Sequence, residues 1–197
     1  GVVIRLRNET SKIICDGILT LPLVLPPTVA GFFLLYLFGV KRPIGQFFID
    51  FFGVKIAFSW GATVLAAVVM SFPLMYRSAR GAFEQVDPDL TAAARTLGMS
   101  EWEIFWKVLF ANATPGILSG GVLAFARGLG EFGATSMIAG NIAGKTRTLP
   151  MAVYSEVAAG NMGAADRYVA VIVVIAFISI LLMNLGALRA GGRKHGA

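Results

Sequence analysis

Residues 87–115 read DPDLTAAARTLGMSEWEIFWKVLFANATP, a polar-studded stretch between two long apolar runs. Asp87 is an N-cap residue and Pro88 suits the first helical position, where a missing N–H costs nothing. Leu90, Ala93, Ala94 and Leu97 follow at i, i+3, i+4 and i+7, the spacing of one apolar helix face. Gly98 then stops the helix as a residue free to take positive φ. Ser100 and Glu103 form a capping box that opens a second helix, in which Trp102, Phe105, Trp106 and Leu109 repeat the stripe. The expected shape is a helix–glycine–helix knuckle that a second protein can grip, its aromatic residues anchoring it to its own spans.

Around this knuckle the chain is apolar. Of its 197 residues 56% are hydrophobic and 14% charged, and the mean hydropathy is +0.74. A soluble domain is about one-quarter charged, so the composition is that of an integral membrane protein. The net charge of +6 is spread along the chain near span ends, which reads as a topology signal and not as a nucleic-acid surface. Cys15 is the one cysteine and His195 the one histidine, so neither a disulfide nor a Cys/His metal site has material. No metal and no cofactor is expected. A signal peptide is not evident, and the apolar stub at residues 1–4 reads as the end of a span that begins before the chain does.

Four spans are expected. Residues 18–38 contain no charge and are long enough for a hydrocarbon core of about 30 Å, with Pro22, Pro26 and Pro27 kinking or unwinding the helix. Residues 56–76 form the second, with Trp60 and Tyr76 near its ends. Residues 108–139 are too long and too glycine-rich for one plain helix, and 168–188 are the cleanest run. Leu149–Val157 is too short to span and reads as interfacial or re-entrant. If the knuckle loop, residues 77–107, is cytoplasmic, the inner side holds Arg5, Arg7, Lys12, Arg77, Arg80, Arg95, Lys107, Arg189, Arg193 and Lys194. The outer loops hold the smaller set Lys41, Arg42, Lys55, Lys145, Arg147 and Arg167, a bias that favours this orientation.

The stretch AAARTLGMSEWEIFWKVLFANATPGI resembles the cytoplasmic coupling loop of ABC importer permeases, a pattern of Glu-Ala-Ala, two residues, Leu-Gly and a later Leu-Pro. Ala93, Ala94, Leu97 and Gly98 match in place, whereas Ala92 stands at the glutamate and Phe110-Ala111 at the Leu-Pro. LPLVLPPTVAGFFLL, FSWGATVLAAVVMSFPLMYRSARGAFE, LAFARGLGEFGATSMIAGN and TRTLPMAVYSE are similar to the molybdate/tungstate members, so that the likeness runs from about Leu21 to Val157. GEFGAT followed by KTRTLPMAVY is its most specific part.

The resemblance implies an all-α, polytopic permease with the type I ABC importer transmembrane fold, a single domain over residues 1–197 in the cytoplasmic membrane. It implies a homodimer on two cytoplasmic ATPase subunits, fed by an extracytoplasmic oxyanion-binding protein. ATP hydrolysis then belongs to the partner, and this chain is no enzyme. Ala92, Ala93, Ala94, Leu97, Gly98, Ser100 and Trp102 become the ATPase-coupling candidates. A sulfate or thiosulfate permease is the alternative within transport. A membrane enzyme would need convergent reactive groups, for which the spans offer only Arg127 and Glu131.

Those two lie four residues apart and share a helix face. They serve either as part of a dianion path or gate, or as a structural pair or a pair near a water-accessible span end, since tight anion capture would oppose release. Gly128, Gly130 and Gly133 leave room for close helix approach or a hinge. Lys145 and Arg147 are either anion guides or solvated loop charges. Residues 139–146, AGNIAGKT, fit a relaxed phosphate-loop pattern. No strand precedes them, and Pro150 follows closely, so nucleotide binding is not expected there.

Overall fold

The computed structural model describes residues 9–192. The expected span remnant at residues 1–4 and the tail histidine lie outside the described residues. The chain divides into two compact units, one formed by residues 1–73 and 126–177, the other by 74–125 and 178–197. Among the described residues every regular element is helical.

The first unit opens with α1 (Glu9–Val24) and α2 (Pro27–Phe38). Where the sequence suggested one kinked span at 18–38, the helices are turned 115° from one another. The cause is the Pro26-Pro27 pair. Pro27 keeps Pro26 extended at φ −53°, ψ 136°, which no helix continues through. α3 (Pro43–Phe52) follows a short turn and stops at Gly53, whose φ is +65°. The first part of α4 (Trp60–Glu84), α7 (Gly133–Ala139) and α8 (Leu149–Ala158) complete this unit with the opening part of α9 (Met162–Gly192).

Its core is small-residue packing: Ala30 and Leu34 of α2, Ala62, Ala66 and Met70 of α4, and Ala134, Ile138 and Ala139 of α7. Gly31 makes the α2–α7 crossing possible, since a Cβ there would stand 2.6 Å from the Ala134 Cα. Inside a bilayer helices gain little from hydrophobic burial against one another, and close backbone approach replaces it.

The second unit holds the end of α4, then α5 (Pro88–Thr96) and most of α6 (Glu101–Leu129). Gly116 and Gly120 of α6 lie against Ala82 and Ser78 of α4, again leaving no room for a Cβ. The loop expected at 77–107 is therefore shorter, because α4 continues as helix to Glu84. The third long helix likewise starts at Glu101, not near residue 108, and ends at Leu129 with α7 following a break.

Trp60–Glu84, Glu101–Leu129 and Met162–Gly186 are long and apolar enough to cross a membrane, and the bent α1–α2 pair makes a fourth if it counts as one span.

Candidate functional site

The knuckle is built by its caps. The Asp87 side chain accepts from the Asp89 N–H at 2.9 Å, with Pro88 at the first helical position. At the other end of α5, Gly98 has φ +75°. Its N–H reaches the Arg95 carbonyl at 3.0 Å, and the Met99 N–H reaches Ala94 at 3.2 Å. These two bonds close a Schellman motif, which satisfies carbonyls that the helix end leaves open. α6 opens with a complete capping box. The Ser100 hydroxyl accepts from the Glu103 N–H at 3.3 Å, and the Glu103 carboxylate accepts from the Ser100 N–H at 3.2 Å.

A contact invisible in the sequence pattern locks the two arms. Arg95 donates through Nε to Glu101 Oε1 at 2.7 Å and through its terminal nitrogen to Oε2 at 3.2 Å, a fork across the Gly98 turn. Glu101 raises the Arg95 pKa above its already high ordinary value by this hydrogen bond first and by charge second. The pair is exposed, so it gives direction to the turn more than stability.

α5 packs on the first turns of α6, with Ala94 and Ile104 buried. The other coupling candidates, Ala92, Ala93, Leu97, Gly98, Ser100 and Trp102, are exposed. Leu97 is 80% and Trp102 71% exposed, so two large apolar side chains flank the turn in the open. This corrects the expected anchoring role of Trp102. Residues Ile104–Phe110 form a π-helical segment with a wider turn, and across it Trp102 still meets Phe105 at 6.4 Å and Trp106 at 5.7 Å. Phe105 reaches α4, stacking on Phe83 at 6.1 Å, and Phe110 meets the same ring at 6.5 Å. Beside the knuckle lies a cavity of about 680 Å³ edged by Arg77, Gln85, Asp87 and Asn112 and floored by Ala82 and Gly116.

The second candidate group lies in the first unit. Arg127 donates to Glu131 at 2.6 Å, and the other carboxylate oxygen accepts from the Ala134 N–H at 2.8 Å. Glu131 is 3% exposed, so it is a buried carboxylate that caps α7 while its charge is matched from α6. Backbone irregular at membrane depth must be satisfied by protein, and here one side chain does it. At Gly133 the chain approaches closely: a Cβ there would stand 2.7 Å from the Pro27 Cβ. Gly130 is open, its nearest neighbour being the Ala126 carbonyl at 3.9 Å. The break between α6 and α7 thus sits against the break between α1 and α2.

Glu131→Leu is expected to destabilise by about 2–3 kcal/mol, because it strands both a helix-end N–H and a half-buried guanidinium. Glu131→Gln keeps the acceptor for Ala134 and should lose about half as much. Thermal unfolding in detergent checks this; equal losses would exclude the capping role.

Residues 139–146 form no phosphate cradle. The N–H groups of Lys145, Thr146 and Arg147 all point at one carbonyl, that of Ile142, at 2.9–3.1 Å. Thr146, 2% exposed, accepts from the Ile142 N–H and donates to the Gly140 carbonyl. Arg147 is held by Asn141 at 2.8 Å, and Asn141 in turn by Ser155 at 2.7 Å. The loop is closed upon its own polar groups.

Long apolar helices, helices broken at mutually packed prolines and glycines, and an exposed capped knuckle define a polytopic helical membrane protein. A family model described as the binding-protein-dependent transport system inner membrane component matches residues 1–189, and the chain belongs to that family. It is the multi-pass inner-membrane component of an ABC transporter of the type I importer fold. The molybdenum transport system permease protein ModB of Escherichia coli K12 is 49% identical over 173 residues, which are 87% of this chain and 75% of that protein. The putative molybdenum transport system permease protein YvgM of Bacillus subtilis is 47% identical over 164 residues, 83% of this chain and 72% of that one. The sulfate transport system permease protein CysW of Synechocystis is 34% identical over 178 residues, 90% of this chain and 64% of that one.

Proposed function

We propose that this permease imports molybdate, with tungstate as the equivalent tetrahedral dianion, and that its knuckle transmits the work of ATP hydrolysis. The observation that carries the substrate is the gradient of likeness, 49% identity to a molybdenum permease against 34% to a sulfate permease. A homodimer of the chain rests on two ATPase subunits and receives the oxyanion from an extracytoplasmic binding protein. Exposed Ala92, Ala93, Leu97, Gly98, Ser100 and Trp102 face the ATPase, and buried Ala94 keeps α5 seated on α6. With Ala92 where relatives of the coupling pattern carry glutamate, apolar Leu97 and Trp102 carry the contact. Arg127 and Glu131 hold the helix break in place, and Gly130 beside them gives it freedom to swivel.

Reconstituted with its ATPase and binding protein, the permease is expected to show ATPase activity stimulated by molybdate and tungstate but not sulfate. Stimulation by sulfate alone would move it to the sulfate class. An assembled complex that answers to none of the three would remove the substrate and leave the fold.

A further inference from the structure

Helix α3 is ten residues long, about 15 Å, and cannot cross a bilayer. Ile44, Phe47, Phe48, Phe51 and Phe52 fall at i, i+3, i+4, i+7 and i+8, while Gln46, Asp50 and one further apolar residue, Ile49, lie off that stripe. The rings form one continuous layer, with Phe47 on Phe51 at 4.7 Å and Phe48 on Phe52 at 5.7 Å. One edge of the layer is docked: Phe48 meets Phe38 of α2 at 6.3 Å, and Gly45 sits directly on the carbonyls of Gly39 and Phe38. The outer edge is bare. Phe51 is 75% and Phe52 64% exposed, with Phe47 at 49%.

The charges around this layer say what covers it. Residues 41–55 carry Lys41, Arg42 and Lys55 against the single carboxylate of Asp50. The Arg42 guanidinium lies 3.9 Å from the centre of the Tyr36 ring on α2, which fixes a cation where the apolar surface ends. α2, on which α3 is docked, also carries exposed apolar residues in Phe32, Phe33 and Leu37. An aromatic face bordered by cations at the end of an apolar helix suits the boundary between acyl chains and phosphate headgroups. A water-facing helix would leave this many phenyl rings hydrated, and the cations beside them favour a phosphate surface.

We propose that α3 lies in the membrane surface with its Phe47–Phe51–Phe52 face among acyl chains, and that Lys41, Arg42 and Lys55 hold the phosphates of anionic phospholipids. The Gly45 contact fixes α3 to the end of α2, so lipid held by α3 sets the depth of α2 and of the α7 helix packed on it. This reading is independent of the transported anion.

The test uses the assembled transporter in vesicles of phosphatidylethanolamine and phosphatidylglycerol. In a Cys15→Ser background, Gln46→Cys, Phe47→Cys, Asp50→Cys and Phe51→Cys each carry a spin label. Labels at 47 and 51 are expected to collide several-fold more with oxygen, which concentrates in lipid, than with a water-soluble nickel chelate; 46 and 50 should show the reverse. Nickel reaching all four positions would place the helix in water and overturn the proposal. Neither reagent reaching 47 and 51 would mean a protein covers them, a second copy or the binding protein, and would overturn it equally. Lys41→Gln with Lys55→Gln should make the label at 51 shallower in these vesicles but not in phosphatidylcholine alone. An identical depth in both would remove the anionic-lipid part.

Discussion

Gly98→Trp is expected to abolish substrate-stimulated ATPase activity, a drop of about tenfold or more, in a permease that still inserts and folds. Two effects act together at this position. The φ of +75° costs a non-glycine residue about 1–2 kcal/mol, and each ~1.4 kcal/mol is a tenfold change in an equilibrium. Yet nothing in the chain lies within 4 Å of a Cβ placed there, so a side chain can leave the exposed turn without an internal clash at its root. The obstacle is whatever grips the knuckle. Gly98→Asn separates the two effects, since asparagine tolerates the left-handed region and is small. It should keep most of the coupled activity. Full activity in Gly98→Trp with an assembled complex would end the coupling assignment, whereas equal loss in both variants would assign the effect to backbone strain.

Gly31→Val is expected to cost about 3 kcal/mol or more and to leave little monodisperse protein, because the neighbours of the new Cβ cannot move aside. The Cβ would stand 2.6 Å from the Ala134 Cα, 2.7 Å from its carbonyl oxygen and 2.8 Å from the Met137 Cβ. Two of those atoms are backbone, so α2 and α7 must separate. Their separation opens the cluster of Ala30, Leu34, Ala62, Ala66, Ala134 and Ile138. It also withdraws Pro27 from Gly133, next to the carboxylate that caps α7. Gly121→Ala is the control: nothing lies within 4 Å of that position, and alanine is the better helix former by about 1 kcal/mol. Unfolding midpoints in detergent should fall sharply for the first and hold or rise for the second. An unchanged midpoint in Gly31→Val would show that the close crossing is not what holds this unit together.

The caps of the knuckle were legible because they are short-range chemistry. Asp87-Pro88, Gly98, and Ser100 with Glu103 each act within a few residues, and the bonds they make are those their spacing implies. Arg127 and Glu131 were legible as a pair for the same reason, being one helical turn apart. The aromatic stripe was legible as a cluster, since Trp102, Phe105 and Trp106 meet one another, but spacing could not say that Phe105 packs on Phe83 while Trp102 stays exposed. The apolar run at 18–38 was legible as a helix kinked or unwound at its prolines, but hydropathy carries no angle, and the 115° turn at Pro26-Pro27 needed the structure.

By itself the sequence determined that this is a helical membrane protein, where its local helix starts and stops lie, and which relatives it resembles. Those follow from composition, from caps a few residues wide and from patterns read in order. Gly98 was already marked as a turn by the caps on either side of it, whereas the tertiary structure alone decided which atoms Gly31 and Gly133 meet. It decided that Glu131 caps a second helix as well as pairing with Arg127, and that Arg95 reaches across the turn to Glu101. The physical reason is range. A glycine's role is set by the atom that would meet its missing Cβ, and for Gly31 that atom is more than a hundred residues away along the chain, on Ala134.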